Sequence, residues 1–253
     1  MSESDKRRLF LGLEVHAPWP KLPPSGRIID ENSRHVTLAF LGMQSLSKTI
    51  EQLPAISVPE IGPVGLFTKC LFLPHRHPRV VAWQIDWLSD FTTEKMAIPT
   101  LEREFLDHVT LCRSPFIAKQ WHDSFTRLPL VATALHLYES TGSLHYVPRK
   151  SWHFTLPFEE IEHTADIAFV IRGKTLSELF VHAEGALCYH FPELTPYFFA
   201  QACLTSLEEV ISLLNERIAI ADSEIGSPLK AVSLHTHLTA HHNILEWEMI
   251  VDV

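Results

Sequence analysis

The tetrapeptide His-Val-Thr-Leu occurs twice in this chain, at residues 35–38 (HVTLAFLG) and again at 108–111 (HVTLCRSP). Both copies alternate, so His35 and Thr37 project from one face of a strand while Val36 and Leu38 project from the other. Each copy is expected to be a half-buried β-strand with an imidazole and a hydroxyl on its wet face. A duplicated strand, with a helical-looking segment between the copies, reads as an internal repeat whose two His-x-Thr pairs converge on one cleft from opposite sides. Spacing alone does not carry this reading. A chain of this composition is expected to show about one His-x-Thr by chance. This chain shows four, the others beginning at His153 and His237. Identical second and fourth residues, and an aromatic or basic residue at the same offset (Phe40 and Arg113), set His35 and His108 apart.

Two histidines in one cleft suit a phosphodiester. Opening a cyclic phosphate needs a base for the attacking water and an acid for the departing oxygen, roughly in line across phosphorus. Histidine serves either role near neutral pH. Threonine hydroxyls donate to the non-bridging oxygens, and Arg113 supplies positive charge. That chemistry requires no metal.

With 253 residues, 46% of them hydrophobic and 20% charged, the chain is long and apolar enough for real cores, which argues against disorder. Near the N-terminus Glu14 interrupts the apolar run too early for a signal peptide or membrane anchor, so a cytoplasmic protein that does not engage a membrane is expected. Cys70, Cys112, Cys188 and Cys203 have no Cys-x-x-Cys spacing and read as reduced, buried thiols. Charge is uneven: residues 1–156 carry 17 Lys and Arg against 15 Asp and Glu, whereas residues 157–253 carry 4 against 15. The first part can meet a polyanion through Arg34, Arg76, Arg79 and Arg113, while the second repels nucleic acid and suits a metal ion or a basic partner. A boundary is expected between 156 and 157.

Strand signals fall at 8–15, 34–40, 66–73, 80–85 and 131–138, and the end of a helical stretch at 99–106. Strands and helices intermix without long apolar parallel runs, which predicts an α+β fold.

RLFLGLEV, HVTLAFLG, GLFTKCLFLPHRHPRVVAWQID, FLDHVTLCR and LHLYESTGS, in this order, resemble the 2H phosphoesterases, in particular their RNA 2',3'-cyclic phosphodiesterase branch, once called 2'-5' RNA ligases. The resemblance covers about residues 8–155. It implies a two-lobed fold, each lobe a small antiparallel sheet backed by helices, with His35 and His108 as the catalytic pair, Thr37 and Thr110 holding the phosphate, and Phe40 and Arg113 beside it. His153 matches no motif of that family. No cofactor is implied for the reaction.

The remainder opens with FEEIEHTADIAFVIRG as a strand, passes a Gly-Lys-Thr helix start with Glu178 three residues after Thr175, and continues as an amphipathic helix through Leu176, Leu179, Phe180, Ala183 and Leu187. With its HTADI box, a second helix at SLEEVISLLNERI, a strand at SPLKAVSLH and a terminal EWEMIVDV, it resembles a shortened archease, the small acidic protein that assists RtcB-type RNA ligases. The resemblance implies a divalent cation, calcium, magnesium or manganese, held by Asp166 and Asp252, with Lys230 matching that family's lysine. Hard carboxylate oxygens favour these ions over zinc. His235, His237, His241 and His242 lack a companion ligand at zinc spacing and read as a solvated strand edge.

The expectation is a 2H phosphoesterase domain (1–156) fused to a reduced archease-like domain (157–253). It would hydrolyse RNA 2',3'-cyclic phosphate ends and take part in RNA end processing, repair or tRNA splicing beside an RtcB-type RNA ligase. The alternatives are a 2H enzyme for small cyclic nucleotides and a non-catalytic scaffold for RNA ends or ligase.

Overall fold

The computed structural model describes residues 6–53, 56–89, 91, 106–164, 166–200, 202, 204–234 and 237–253. It divides into two compact units: 1–127 with 131–155, and 156–253 with 128–130. Both are α+β with antiparallel sheets.

In the first unit the strands are β1 (Lys6–His16), β2 (Arg27–Ile28), β3 (His35–Ser45), β4 (Val64–Leu73), β5 (Val80–Trp87), β6 (His108–Arg113), β7 (Pro129–Gly142) and β8 (His145–His153). Short helices α1 (Leu46–Gln52) and α2 (Ala118–Asp123) accompany them. Among the described residues all eight strands form one sheet in the order β1-β3-β6-β5-β4-β7-β8, with β2 beside β6, and β1 also pairs with β7 so that the path returns on itself. This differs from two separate small sheets facing each other across a groove. The motif strands β3 and β6 are antiparallel neighbours joined at a single pair, Val36↔Val109. The reason lies in the alternation, which fixes the face each side chain takes but not which strands are adjacent.

The core of this unit is the set of residues facing away from His35 and His108. Leu9, Leu11 and Leu13 of β1, Val36 and Leu38 of β3, and Val109 and Leu111 of β6 are all at most 1% exposed. Their burial, at about 25 cal/mol per Å² of apolar surface, is the main force holding the sheet together. Strand β8 carries no expectation from the sequence. Its alternation is weak because apolar and polar residues mix on both faces, and it forms by pairing with β7 through a turn at Ser143 and Leu144, both with positive φ. The expected helical stretch at 99–105 lies outside the described residues. Cys112 and Cys188 are buried and Cys70 is half-buried, none of the three in a disulfide, and Cys203 lies outside the described residues.

The second unit contains β9 (Phe158–Ile161), β10 (Ile167–Gly173), α3 (Leu176–His190), α4 (Leu207–Ile225), β11 (Ala231–Val232), β12 (Leu238–His241) and β13 (Ile244–Asp252). Sheet order is β11-β13-β10-β9, with β12 also on β13. Helix α3 starts with the expected reciprocal cap: Glu178 N donates to Thr175 Oγ1 and Lys174 N donates to Glu178 Oε2. Its buried face, with Leu179, Phe180, Ala183 and Leu187, packs in one core with Val210, Leu214 and Ile218 of α4 and Trp247, Met249 and Val251 of β13. Two expectations are corrected. The single opening strand is an antiparallel pair, because the polar residues between Ile161 and Ile167 break the apolar alternation and turn the chain. Among the described residues, the strand expected at SPLKAVSLH is only Ala231–Val232, since Leu234, 69% exposed, gains little from burial. His241 ends β12 before a tight turn at His242 and Asn243, both with positive φ. His235 lies outside the described residues.

Candidate active site

Strands β3 and β6 share more than a tetrapeptide. In the ladder of β1 with β3, Leu11 pairs with Ala39 and Gly12 with Thr37, so Leu38 is an extra residue. In that of β5 with β6, Val81 pairs with Cys112 and Ala82 with Thr110, so Leu111 is the extra residue. Each strand therefore bulges at the third residue after its histidine. A one-residue insertion reverses the alternation beyond it. Without the bulge the fifth residue after each histidine would face away; with it, Phe40 and Arg113 join His35, Thr37, His108 and Thr110 in lining one groove of about 890 Å³. The antiparallel pair Val36↔Val109 sets the two halves head to tail, with His35 toward Thr110 and His108 toward Thr37.

Both imidazoles are held in the same way. His35 Nδ1 lies 2.8 Å from the Ser33 carbonyl oxygen, and His108 Nδ1 lies 2.7 Å from that of Leu106. A carbonyl only accepts, so each Nδ1 carries the hydrogen and each Nε2 is left for the groove. Among the described residues neither Thr37 nor Thr110 commits its hydroxyl to another protein group.

The surroundings of the two histidines differ. Tyr146 meets His35 edge-on at 4.8 Å, and Phe10 and Tyr138 lie at 5.0 and 5.3 Å. Gly12 makes room for this packing, because a Cβ there would meet the Val36 carbonyl oxygen at 3.0 Å and the His35 ring at 3.4 Å. Burial pushes the His35 imidazole down to about 4; the Ser33 hydrogen bond opposes this, and the positive charges of His108, Arg113 and His136 add to it. Neutral His35 thus offers a lone pair on Nε2.

Next to this cluster Glu14 accepts from Thr133 Oγ1 at 2.9 Å and from His136 Nε2 at 3.4 Å, and His136 Nδ1 meets Ser151 Oγ at 2.8 Å. The His136 hydrogen bond is the main reason the Glu14 carboxyl falls to about 2. Phe10, Tyr138 and Tyr146 escape a reading of the sequence because their approach to His35 depends on the β1–β7 and β7–β8 registers. The only sequence sign is the alternation of aromatic residues in LHLYESTGSLHY.

Other expected residues lie elsewhere. His153 ends β8, exposed, and His237 is exposed before β12; neither lines the groove. Arg34 is not free to meet a polyanion. It is 7% exposed, lies 4.5 Å over the Trp19 ring and donates from Nε to the Ile29 carbonyl at 3.3 Å, because its long apolar stem and flat head stack on indole better than they hydrate there. Asp166 lies in the turn before β10 rather than on a strand. Ile167↔Val251 is the last pair of that ladder, so Asp166 and Asp252 come to the same end of it. Asp166 Oδ2 is 3.8 Å from His163 Nδ1. Among the described residues no group of three or more His, Cys, Asp or Glu is placed to hold a metal ion.

No family model and no curated protein matches the chain. Solved structures do. The chain is similar to E. coli LigT complexed with 3'-AMP at 20% identity and a TM-score of 0.38, over 59% of this chain and 99% of that one. It is similar to a structure described as a phosphoesterase at 22% identity and a TM-score of 0.39, again over 59% and 99%. It is similar to the protein TT0787 of Thermus thermophilus at 15% identity and a TM-score of 0.39, over 58% of this chain and 97% of that one.

Proposed function

We propose that this groove hydrolyses 2',3'-cyclic phosphate ends of RNA with His35 and His108 as the acid–base pair. The observation that carries the proposal is the repeated one: on two antiparallel neighbours, an identical bulge and an identical Nδ1–carbonyl bond present two imidazole Nε2 atoms and two uncommitted threonine hydroxyls to one groove. One imidazole takes a proton from water as its oxygen bonds to phosphorus. The other gives a proton to the ribose oxygen as the P–O bond to it breaks. Thr37 and Thr110 donate to the non-bridging oxygens, where negative charge builds, and Arg113 adds its cation. Phe40, 62% exposed on the groove, offers a face for a base. None of these steps calls on a cation, so hydrolysis is expected to persist in excess chelator. Loss of activity in chelator, restored by metal, would contradict the mechanism.

The direct test is turnover of a cyclic-phosphate-ended oligonucleotide by His35→Ala, His108→Ala and His153→Ala. The first two should lose about a hundredfold to ten-thousandfold, and the third almost nothing. A His153→Ala loss as deep as the others would show that a different pair acts.

For the second unit the reading is an archease-like module that assists an RtcB-type RNA ligase on the same class of ends and holds a calcium, magnesium or manganese ion. Its support is the HTAD sequence at residues 163–166 and the placing of Asp166 and Asp252 at one ladder end. Two carboxylates suit a hard cation that completes its shell with carbonyl oxygens and water. Calorimetric titration of calcium or manganese into the wild type and an Asp166→Asn, Asp252→Asn double variant tests it; equal heats, or none, remove the cation site.

A further inference from the structure

The end of the groove beyond Thr110 holds a cation that the chemistry above does not use. Arg27 of β2 is the direct cross-strand partner of Arg113, and both line the groove. Like charges directly opposite on neighbouring strands repel. Among the described residues no carboxylate neutralises either one, and the Nε of Arg113 is buried without a hydrogen-bond partner.

The segment that carries Arg27 is pinned in place. The Ser25 carbonyl oxygen accepts from Trp121 Nε1 at 3.0 Å, and Ser25 Oγ accepts from Ile117 N at 3.3 Å. Ile29 N donates to the Leu111 carbonyl at 2.8 Å. Gly26, at φ +104°, lies so close to β6 that a Cβ would fall 2.3 Å from Cys112 Sγ. Arg27 Nε donates to the Ser114 carbonyl at 3.1 Å, which leaves its terminal nitrogens available. Two arginines are thus held side by side against their mutual repulsion, an arrangement that an anion would relieve.

Because β3 and β6 run antiparallel, Phe40 and the aromatic residues lie at one end of the groove, the two arginines at the other, and the histidines between them. We propose that Arg27, beside Arg113, binds the phosphodiester that precedes the terminal nucleotide, so that the site takes an oligonucleotide 3' end in preference to a single nucleotide. The inference rests on the phosphodiesterase reading for the identity of the group at the histidines. The aromatic end takes the terminal base, the histidines flank the terminal phosphate, and the chain leaves past Arg27.

The test is calorimetric binding, which does not depend on turnover, of a nucleoside 3'-monophosphate and of a dinucleotide ending in a 3'-phosphate. Wild type should bind the dinucleotide roughly tenfold more tightly, as expected for one added charge-assisted contact. Arg27→Ala should abolish that preference, leave mononucleotide affinity within about twofold, and lower the salt slope of dinucleotide binding by about one. Arg27→Lys, which keeps the charge, should retain part of the preference and guards against a loss due to misfolding. Equal wild-type affinity for the two ligands, binding of neither, or a preference that survives in Arg27→Ala would overturn the proposal. Turnover of the matching cyclic phosphates, measured in parallel, separates the two ideas. Binding preference without turnover counts against the hydrolase alone, and turnover without preference counts against the Arg27 subsite alone.

Discussion

The two motif strands are alike in what their own residues determine and unlike in what their neighbours supply. Strands β3 and β6 share the bulge, the burial order and the Nδ1–carbonyl bond. Yet His35 is enclosed by Phe10, Tyr138 and Tyr146 and held neutral, while the β6 half ends in Arg113 opposite a second arginine. A repeat can therefore duplicate geometry without duplicating electrostatics.

The strongest way to break this comparison is to remove both histidines. If they act as a unit, His35→Ala with His108→Ala should fall only a little below the worse single variant, far short of the product of the two losses. Multiplying losses in single-turnover assays would mean that the two act independently. Next in size is the equivalence of the bulges. Leu38 and Leu111 are both fully buried, so Leu38→Ala and Leu111→Ala should each cost about 2–5 kcal/mol in urea unfolding and match one another within about 1 kcal/mol. Clearly unequal costs would show that one half carries the fold.

The fifth residues should differ. Arg113→Ala is expected to lower kcat/KM roughly tenfold to a hundredfold and to weaken its salt dependence, whereas Phe40→Ala should raise KM several-fold, roughly 1 kcal/mol of stacking, with kcat little changed. The last effect is in acid. His35 falls from its ordinary 6.5 to about 4, so between these values the unfolded chain takes up a proton that the folded chain refuses, and stability declines as pH falls through that window. Glu14, lowered from 4.5 to about 2 chiefly by His136, extends the decline from 4.5 downward, because the unfolded chain protonates there first. His35→Gln should flatten the upper window and Glu14→Gln the lower, as read from denaturant midpoints against pH; an unchanged wild-type profile in both would refute the assignment.

The groove residues His35, Thr37, His108, Thr110, Phe40 and Arg113 were all legible in the sequence, but for unequal reasons. Period-two alternation places the histidines and threonines on one face without further information. It puts Phe40 and Arg113 on the opposite face, and only the bulge at Leu38 and Leu111 brings them round. A matched offset could be seen in the sequence; its cause could not. Arg34 shows the reverse, a charged residue beside the motif that reads as available and is instead stacked on Trp19, fifteen residues earlier in the chain.

By itself the sequence determined the faces of the motif residues up to each bulge, the helix cap at Thr175 and the buried face of α3, because each of these follows from residues within a few positions of one another. Tertiary structure alone decided that β3 and β6 are neighbours in one sheet, that three aromatic rings close around His35, and that Arg27 stands opposite Arg113. Those outcomes depend on strand order and register, which are set by the summed packing of the whole sheet, and no local pattern of residues encodes that sum.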